Sequence, residues 1–108
     1  MNNNETVAAL AKRLELKEIN ISEPDRTVGG GYVGDLLSWV MGRAPAGGVW
    51  VTVMTNVNVI AVAALSDVAC VIIAEGAELD ETAIERAKAQ GINVLATDMP
   101  AFELIKAI

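Results

Sequence analysis

The stretch DRTVGGGYVGD, at residues 25–35, combines an arginine with closely spaced glycines, a combination that suits anion binding. Backbone N–H groups of successive glycines at the start of a helix can hold a phosphate or carboxylate, with Arg26 as counter-charge. Gly30 and Gly31 equally suit a tight connection, because glycine adopts positive φ angles and permits close backbone approach. Asp35 favours this second interpretation, since we expect its carboxylate to occupy the positive end of the following helix.

A second group of polar side chains follows a predicted central strand at residues 49–53. In open α/β sheets, ligands bind beyond the carboxyl ends of the strands, so these groups could hydrogen-bond a base, a sugar or an amide. Alternatively, an asparagine caps the next helix and a threonine shapes the turn. The group consists of Thr52, Thr55, Asn56 and Asn58.

Two carboxylates follow the next two predicted strands and would line the same edge of the sheet. They are Glu75 and Asp98. Carboxylates at such a position could hold Mg²⁺ and, together with Asp35, support a magnesium-assisted phosphate reaction. The alternative is a solvated edge with helix caps, and we predict no metal, no cofactor and no catalytic residue.

Several kinds of chemistry are excluded by residues that the chain lacks. It has no histidine, which removes Ser–His and Cys–His nucleophile pairs and histidine acid–base catalysis. No lysine follows a glycine, so the P-loop pattern G-x-x-x-x-G-K-[S/T] is absent and kinase-type phosphoryl transfer is disfavoured. The single cysteine, Cys70, lies in an apolar run that predicts a buried strand rather than a reactive thiol.

The composition predicts one α/β domain spanning residues 1–108. The net charge of −6, with no basic cluster, argues against nucleic acids and anionic membranes as partners. No apolar run is long enough for a membrane span, and the N-terminus does not resemble a signal peptide, so we expect a cytoplasmic protein. Hydrophobic residues make up 53% of the chain and mean hydropathy is +0.41, which favours a homodimer with Trp39 and Arg43 at the interface.

Hydrophobic periodicity predicts the elements that position these residues. The predicted helices span about residues 4–14 (capped by Asn4), 34–42, 59–65, 81–90 and from Pro100 onward, and the predicted strands span 17–21, 49–53, 68–74 and 92–96. From residue 49 the strands and helices alternate, which predicts a mostly parallel sheet in a three-layer α/β fold. The pattern leaves open whether residues 17–21 form a mixed edge strand.

Several segments resemble the DRTGG-domain family, and together they cover residues 19–108. They are GYVGDLLS (31–38), VWVT (49–52), NVIAVA (58–63), IIAEG (72–76) and GINVL (91–95). The resemblance implies an α/β fold similar to the N-terminal, non-kinase domain of HPr kinase/phosphorylase and to the UDP-binding end of Mur ligases. DRTGG domains also occur in phosphate acetyltransferases and in CBS-domain pyrophosphatases, where they contribute to subunit contacts and regulatory nucleotide binding.

The residues and the resemblance together predict a non-catalytic regulatory or ligand-sensing module. It would be homodimeric and would bind a nucleotide or another small anion. One alternative is a structural adaptor that docks on an enzyme complex, such as a hydrogenase or a carbohydrate-regulating system. A magnesium-assisted phosphate-handling enzyme is a further alternative.

Overall fold

The structure, a computed structural model, describes residues 4–108, and residues 1–3 of the predicted 1–108 domain lie outside this range. The strands are β1 (Lys17–Asn20), β2 (Gly31–Val33), β3 (Val49–Thr52), β4 (Cys70–Ile73) and β5 (Val94–Ala96). The helices are α1 (Val7–Arg13), α2 (Leu37–Arg43), α3 (Val57–Ser66), α4 (Glu81–Gln90) and α5 (Ala101–Ala107). None of these helices is long and apolar enough to cross a membrane.

The strands of residues 4–108 form one sheet in the order β1-β5-β4-β3-β2. Neighbouring strands from β2 to β5 are parallel, whereas β1 pairs antiparallel with β5, with Lys17 opposite Ala96. The predicted mostly parallel α/β sheet is therefore confirmed, and β1 is the mixed edge strand that the sequence left open.

Side-chain alternation along the strands divides the core into two halves. In β3, Val49 and Val51 pack with residues of α1 and α5, whereas Trp50 packs on the other face with residues of α2, α3 and α4. Trp50 is fully buried, and its indole Nε1 donates a 2.9 Å hydrogen bond to the carbonyl of Gly34. Because successive side chains of a strand point to opposite faces, a sheet covered on both sides requires apolar residues throughout. The result is the predicted three-layer fold.

The helices with the clearest local signals lie at or close to their predicted positions. Helix α4 has the predicted bounds, and Gly91 ends it in the left-handed region, at φ 69°. Helix α3 begins at Val57, two residues before the predicted start, and the Asn56 side chain caps it by accepting a hydrogen bond from the Asn58 backbone N–H. The end of α4 and an asparagine cap for α3 depend on residues within one helical turn, so the sequence could indicate both, although it did not choose between Asn56 and Asn58.

The predicted helix at residues 34–42 is wrong at its start. Residues Gly31–Val33 form the edge strand β2, which pairs in parallel with β3, and the helix begins only at Leu37. The apolar spacing that suggested a longer helix includes Val33, which is 49% exposed, and buried Val40. The backbone hydrogen bonds of residues 31–33 are formed with β3, a strand about 18 residues further along the chain. Local periodicity cannot reveal such a pairing.

The predicted cap of the first helix also needs correction. Thr6, not Asn4, precedes α1, and its hydroxyl accepts a 3.1 Å hydrogen bond from the Ala9 N–H. Thr6 also forms a bridge with Thr27, which holds the chain extended just before the helix. This tertiary contact places the start of the helix two residues later than the sequence suggested.

Candidate functional site

A cleft of about 850 Å³ opens at the carboxyl ends of β4 and β5. Its volume lies in the range of small-molecule sites, roughly 300–1,000 Å³. The two turns that follow the strands form its floor, and the start of α4 and the α1–β1 connection form its walls. The residues that line it include Leu14, Glu15, Lys17, Ile19, Glu78, Glu81, Ile84, Thr97 and Asp98.

The turn after β4 is built around two residues in the left-handed region. Glu75 has φ 65° and Gly76 has φ 71°, and the N–H of Gly76 donates to the carbonyl of Thr97. A Cβ at Gly76 would lie 3.3 Å from a carboxylate oxygen of Asp98 in addition to the backbone strain. Glycine at this position therefore lets the turns after β4 and β5 approach each other beside the cleft.

The cleft carries more negative than positive charge. Glu15, Glu78, Glu81 and Asp98 line it, and among the lining residues Lys17 is the basic one. An unaccompanied phosphate would meet repulsion here, whereas a phosphate carrying Mg²⁺ would not. No group of three potential metal ligands meets within residues 4–108, so the protein itself does not supply a complete metal site there.

The lining of the cleft also includes apolar residues from both sides of the sheet. Leu14 and Met99 pack against the half of the core that contains α1 and α5, whereas Ile19, Leu79 and Ile84 pack against the other half. Apolar residues beside a few polar groups are typical of small-molecule sites, in which the polar groups orient the ligand.

The sequence-predicted carboxylates both lie beside this cleft. Asp98 lines it, whereas Glu75 points toward α5, where one of its carboxylate oxygens accepts a 2.8 Å hydrogen bond from the Ala101 N–H. Glu75 thus acts as a helix cap, the structural alternative that the sequence left open. The turn contacts bring the two residues together, as their positions after neighbouring strands predicted.

The polar group after β3 does not line the cleft, because β3 is separated from β5 by β4. Thr52 is buried, and its hydroxyl donates a 2.6 Å hydrogen bond to a carboxylate oxygen of Asp35. The same oxygen accepts the Val53 N–H at 3.0 Å, so Asp35 ties the β2–α2 connection to the end of β3 rather than occupying a first helical turn.

The other members of that group shape the next connection. Asn56 caps α3 through the N–H of Asn58, and the carbonyl of Thr55 accepts the N–H of Asp80. The Asn58 side chain is exposed. Ligand binding by these residues stays a prediction, and the contacts in the structure match the alternative of caps and turns.

Arg26 is engaged by the protein itself. Its guanidinium donates a 2.7 Å hydrogen bond to the Asp67 carbonyl and forms a 3.0 Å ion pair with the Asp67 carboxylate. Glu23 lies 3.7 Å away on the other side. These contacts fasten the β1–β2 connection to the end of α3, so an anionic ligand would have to compete with Asp67 for this cation.

Gly30 and Gly31, which the sequence suggested as anion-binding residues, allow the edge strand β2 to lie close to β3. The carbonyl of Gly30 accepts the N–H of Val49, and a Cβ at Gly31 would lie 3.0 Å from the Val49 carbonyl oxygen. Gly30 has φ +78°, a conformation that strains other residues. The glycine run is therefore built for close approach of β2 to β3, and its role in anion binding stays a prediction.

The predicted interface pair lies on the outer surface of α2. Trp39 is 51% exposed, and the Arg43 guanidinium stacks 3.9 Å from the centroid of its ring. Such cation–π stacking holds both side chains in place at the surface.

The single cysteine, Cys70, is buried. Burial raises the pKa of its thiol to about 12, so the predicted unreactive cysteine has little thiolate at neutral pH.

Sequence reasoning missed the residues that the α1–β1 connection and β1 itself contribute to the cleft. Leu14, Lys17 and Ile19 reach it because β1 lies antiparallel beside β5, which places the start of β1 at the carboxyl end of that strand. The direction of an edge strand has no local sequence signal, so only the strand pairing identifies these residues.

The strands and helices define a small three-layer α/β domain with a cleft at the carboxyl ends of β4 and β5. No family model matches the sequence, and no curated protein sequence is similar to it. A solved structure shares the fold, with a TM-score of 0.78 at 18% sequence identity. It contains the CBS and DRTGG domains of the regulatory region of Clostridium perfringens pyrophosphatase, complexed with the activator diadenosine tetraphosphate. The match covers 99% of this chain and 50% of that chain, so this chain spans about half its length.

Proposed function

We propose that this chain is a non-catalytic regulatory module that senses an adenine nucleotide. The observation that carries the proposal is the fold, which 99% of the chain shares with a region that regulates a pyrophosphatase and was solved with diadenosine tetraphosphate. Two of the carboxylates that a magnesium-assisted enzyme would need are already hydrogen-bonded within the protein, since Asp35 accepts from Thr52 and Glu75 accepts from the Ala101 N–H at the start of α5. These contacts favour binding over catalysis.

The ligand site in this proposal is the cleft beside β5. Ile19 and Ile84, which pack on the same side of the sheet, would contact the base, and Lys17 would contact a phosphate. Because Asp98 and the neighbouring glutamates oppose a bare phosphate, the nucleotide would bind together with Mg²⁺, which would offset the phosphate charge near these carboxylates. The cation arrives with the nucleotide.

A melting assay tests the proposal on the full chain. Diadenosine tetraphosphate, ATP, AMP and a sugar phosphate are each added with and without Mg²⁺. A ligand at roughly 100 times its Kd stabilises the folded state by about 2.7 kcal/mol, so we expect an increase of several degrees in Tm with a magnesium-bound adenine nucleotide.

A matched pair of charge reversals localises the response. Lys17→Glu should reduce the nucleotide-induced increase in Tm by at least half, because it replaces the basic group of the cleft. Lys88→Glu makes the same change at an exposed position on α4 outside the cleft and should leave the increase unchanged. An equal loss in both variants would place the site elsewhere, and no response to any compound would refute sensing.

A structural adaptor is the second candidate, because the protein exposes several large apolar side chains, including Trp39, Met41 and Phe102. Surfaces of this kind are typical of protein contacts. A flat response to the nucleotide panel, combined with recovery of an enzyme complex from the native cell by affinity purification, would favour the adaptor over the sensor.

We also propose that the module is a homodimer with Trp39 and Arg43 at its interface. Their stacked pair is exposed, and tryptophan and arginine are the residue types that most often anchor interfaces. Trp39→Ala should weaken dimerisation at least tenfold, measured as solution mass by light scattering over a dilution series. An unchanged mass at every concentration would remove Trp39 from the interface.

A further inference from the structure

Charged residues are unevenly distributed along the chain. The sequence has eight basic and 14 acidic residues, yet within residues 27–66 only Asp35 and Arg43 are charged. Asp35 accepts a hydrogen bond from Thr52, whereas Arg43 stacks on exposed Trp39 at the surface. Residues 27–66 thus supply an almost uncharged part of a strongly acidic molecule.

This uncharged part lies at one edge of the sheet. It contains β2, α2, β3 and α3, and β2 is the edge strand opposite β1. Helix α2 packs against α3, which in turn packs against α4, so α2 is the outermost helix on the β2 side. The cleft proposed to bind the nucleotide lies at the other edge, beside β1 and β5.

The same edge exposes most of the large apolar side chains found exposed in residues 4–108. Val33 and Ile105 line an apolar groove of about 270 Å³ between β2 and α5, and Phe102 lies one turn from Ile105 on α5. We call these side chains, with those of the α2 segment and the end of β3, the β2-edge surface. It consists of Val33, Leu36, Trp39, Met41, Val53, Phe102 and Ile105, which are 40% to 72% exposed.

The backbone of β2 is also open. The carbonyl of Gly30 and the N–H of Gly34 bond to β3, and in a parallel pair the alternating residues Gly31 and Val33 direct their backbone groups outward. Proteins usually protect such an edge by keeping the strand short or by placing a charged side chain or a proline on it. Strand β2 is short, with three residues, and carries neither a charged side chain nor a proline.

We propose that a second copy of this chain covers the β2-edge surface. Seven side chains at about half exposure present roughly 700 Å² in total, close to the ~800 Å² that each partner buries in a standard interface. Charged groups beside this surface include the cations Arg43, stacked on Trp39, and Lys106, 5.4 Å from the Phe102 ring, so two molecules of net charge −6 meet here with less repulsion than through their acidic sides. A two-fold axis at this edge would bring the same apolar surface of each copy together.

This surface rests on the homodimer proposed above and specifies where it forms. The test measures solution mass across a dilution series of the full chain. Val33→Lys should raise the dimer dissociation constant at least tenfold, because it places a charge at the centre of the apolar surface. Leu65→Lys adds the same charge at a 72% exposed apolar position at the end of α3, outside the surface, and should dimerise like the wild type.

A second variant, Ile105→Lys, places a charge on the part of the surface that α5 contributes. It replaces Val33→Lys in the test if circular dichroism shows that Val33→Lys is unfolded. A wild type that is monomeric at all concentrations overturns both the surface and the homodimer. Dimers of wild-type affinity in both folded variants overturn the surface and leave the homodimer standing, and equal weakening by Leu65→Lys overturns the placement. Nucleotide-induced melting reports independently on the cleft at the opposite edge, so failure of sensing is distinguishable from each of these outcomes.

Discussion

At the scale of single residues, the Asn93 side chain forms four hydrogen bonds with the backbone. It is buried, its amide oxygen accepts the N–H groups of Ser22 and Glu23 at 2.9 Å, and its amide nitrogen donates to the carbonyls of Glu23 and Ala69 at 2.8 and 3.0 Å. The side chain thereby holds the segment after β1 against the start of β4. Both donors and both acceptor sites of the amide are used.

Replacing Asn93 should therefore be strongly destabilising. Asn93→Ala leaves several backbone groups without partners, and we expect the free energy of unfolding to fall by about 3 kcal/mol, measured by urea denaturation. Asn58→Ala is the control, because the Asn58 side chain is exposed, and it should change stability by less than about 0.5 kcal/mol. Similar losses in the two variants would contradict this account.

Glu5 and Arg13 form a second contact between side chains that connects distant parts of the fold. Their two parallel hydrogen bonds measure 2.7 and 2.9 Å, and the guanidinium also donates to the carbonyls of Ala107 and Ile108. The hydrogen bond from Arg13 lowers the pKa of Glu5 below its ordinary value of 4.5, against the opposing effect of burial. The pair connects α1 to the end of α5.

Because the pKa of Glu5 is lower in the folded state, its contribution to stability is present above about pH 4.5 and is lost as the pH falls through the folded-state pKa. Glu5→Gln should lower the free energy of unfolding at pH 7 by on the order of 1 kcal/mol and flatten the decline of Tm below pH 4.5. Glu103→Gln removes an exposed carboxylate 3.6 Å from Lys106. It should leave both the free energy of unfolding and the decline of Tm below pH 4.5 nearly unchanged. A pH profile of Glu5→Gln parallel to the wild type would contradict this assignment.

At the scale of elements, α5 depends on a cap from another part of the chain. Pro100 precedes the helix and has no cap hydrogen bond from its own side chain, and the N–H of Ala101 donates to Glu75 instead. The helix has only seven residues, so its ends make up most of its length. The turn after β4 therefore stabilises the element that borders the apolar groove.

Removing this cap should loosen α5 specifically. Glu75→Ala is expected to cost about 1 kcal/mol of folding free energy, with faster amide exchange in the first turn of α5, measured by hydrogen exchange. Glu75→Gln retains an acceptor oxygen and should recover most of the loss. If Glu75→Gln were as unstable as Glu75→Ala, the hydrogen bond to Ala101 would not explain the effect.

At the scale of the whole molecule, the acidic cleft and most of the exposed large apolar side chains lie at opposite edges of the sheet. The β1–β5 edge holds the acidic cleft, with Asp98 and Lys17 in its lining, whereas the β2 edge holds the β2-edge surface around Val33. A ligand at one edge and a second copy at the other would not compete for space. Binding in the cleft could reach the dimer only through the sheet or the helices that cover it.

The sequence by itself determined the features that depend on neighbours in the chain. These include α4 with its end at Gly91, the apolar strands β3 and β4, and the existence of α3, though not its start at Val57. Periodicity and capping are local, so each of these elements carries its own signal. The position of Asp98 at the carboxyl edge of the sheet followed from its place after a parallel strand.

Only the tertiary structure decided which strands form the edges and which polar groups remain available for a ligand. Strand β2 exists because Gly31 and Val33 meet β3, and Lys17 reaches the cleft because β1 runs antiparallel to β5. Arg26, which suggested an anion site in the sequence, is paired with Asp67. These outcomes depend on groups far apart in the chain, whose hydrogen bonds and charges are satisfied only when the sheet assembles, so no local pattern could reveal them.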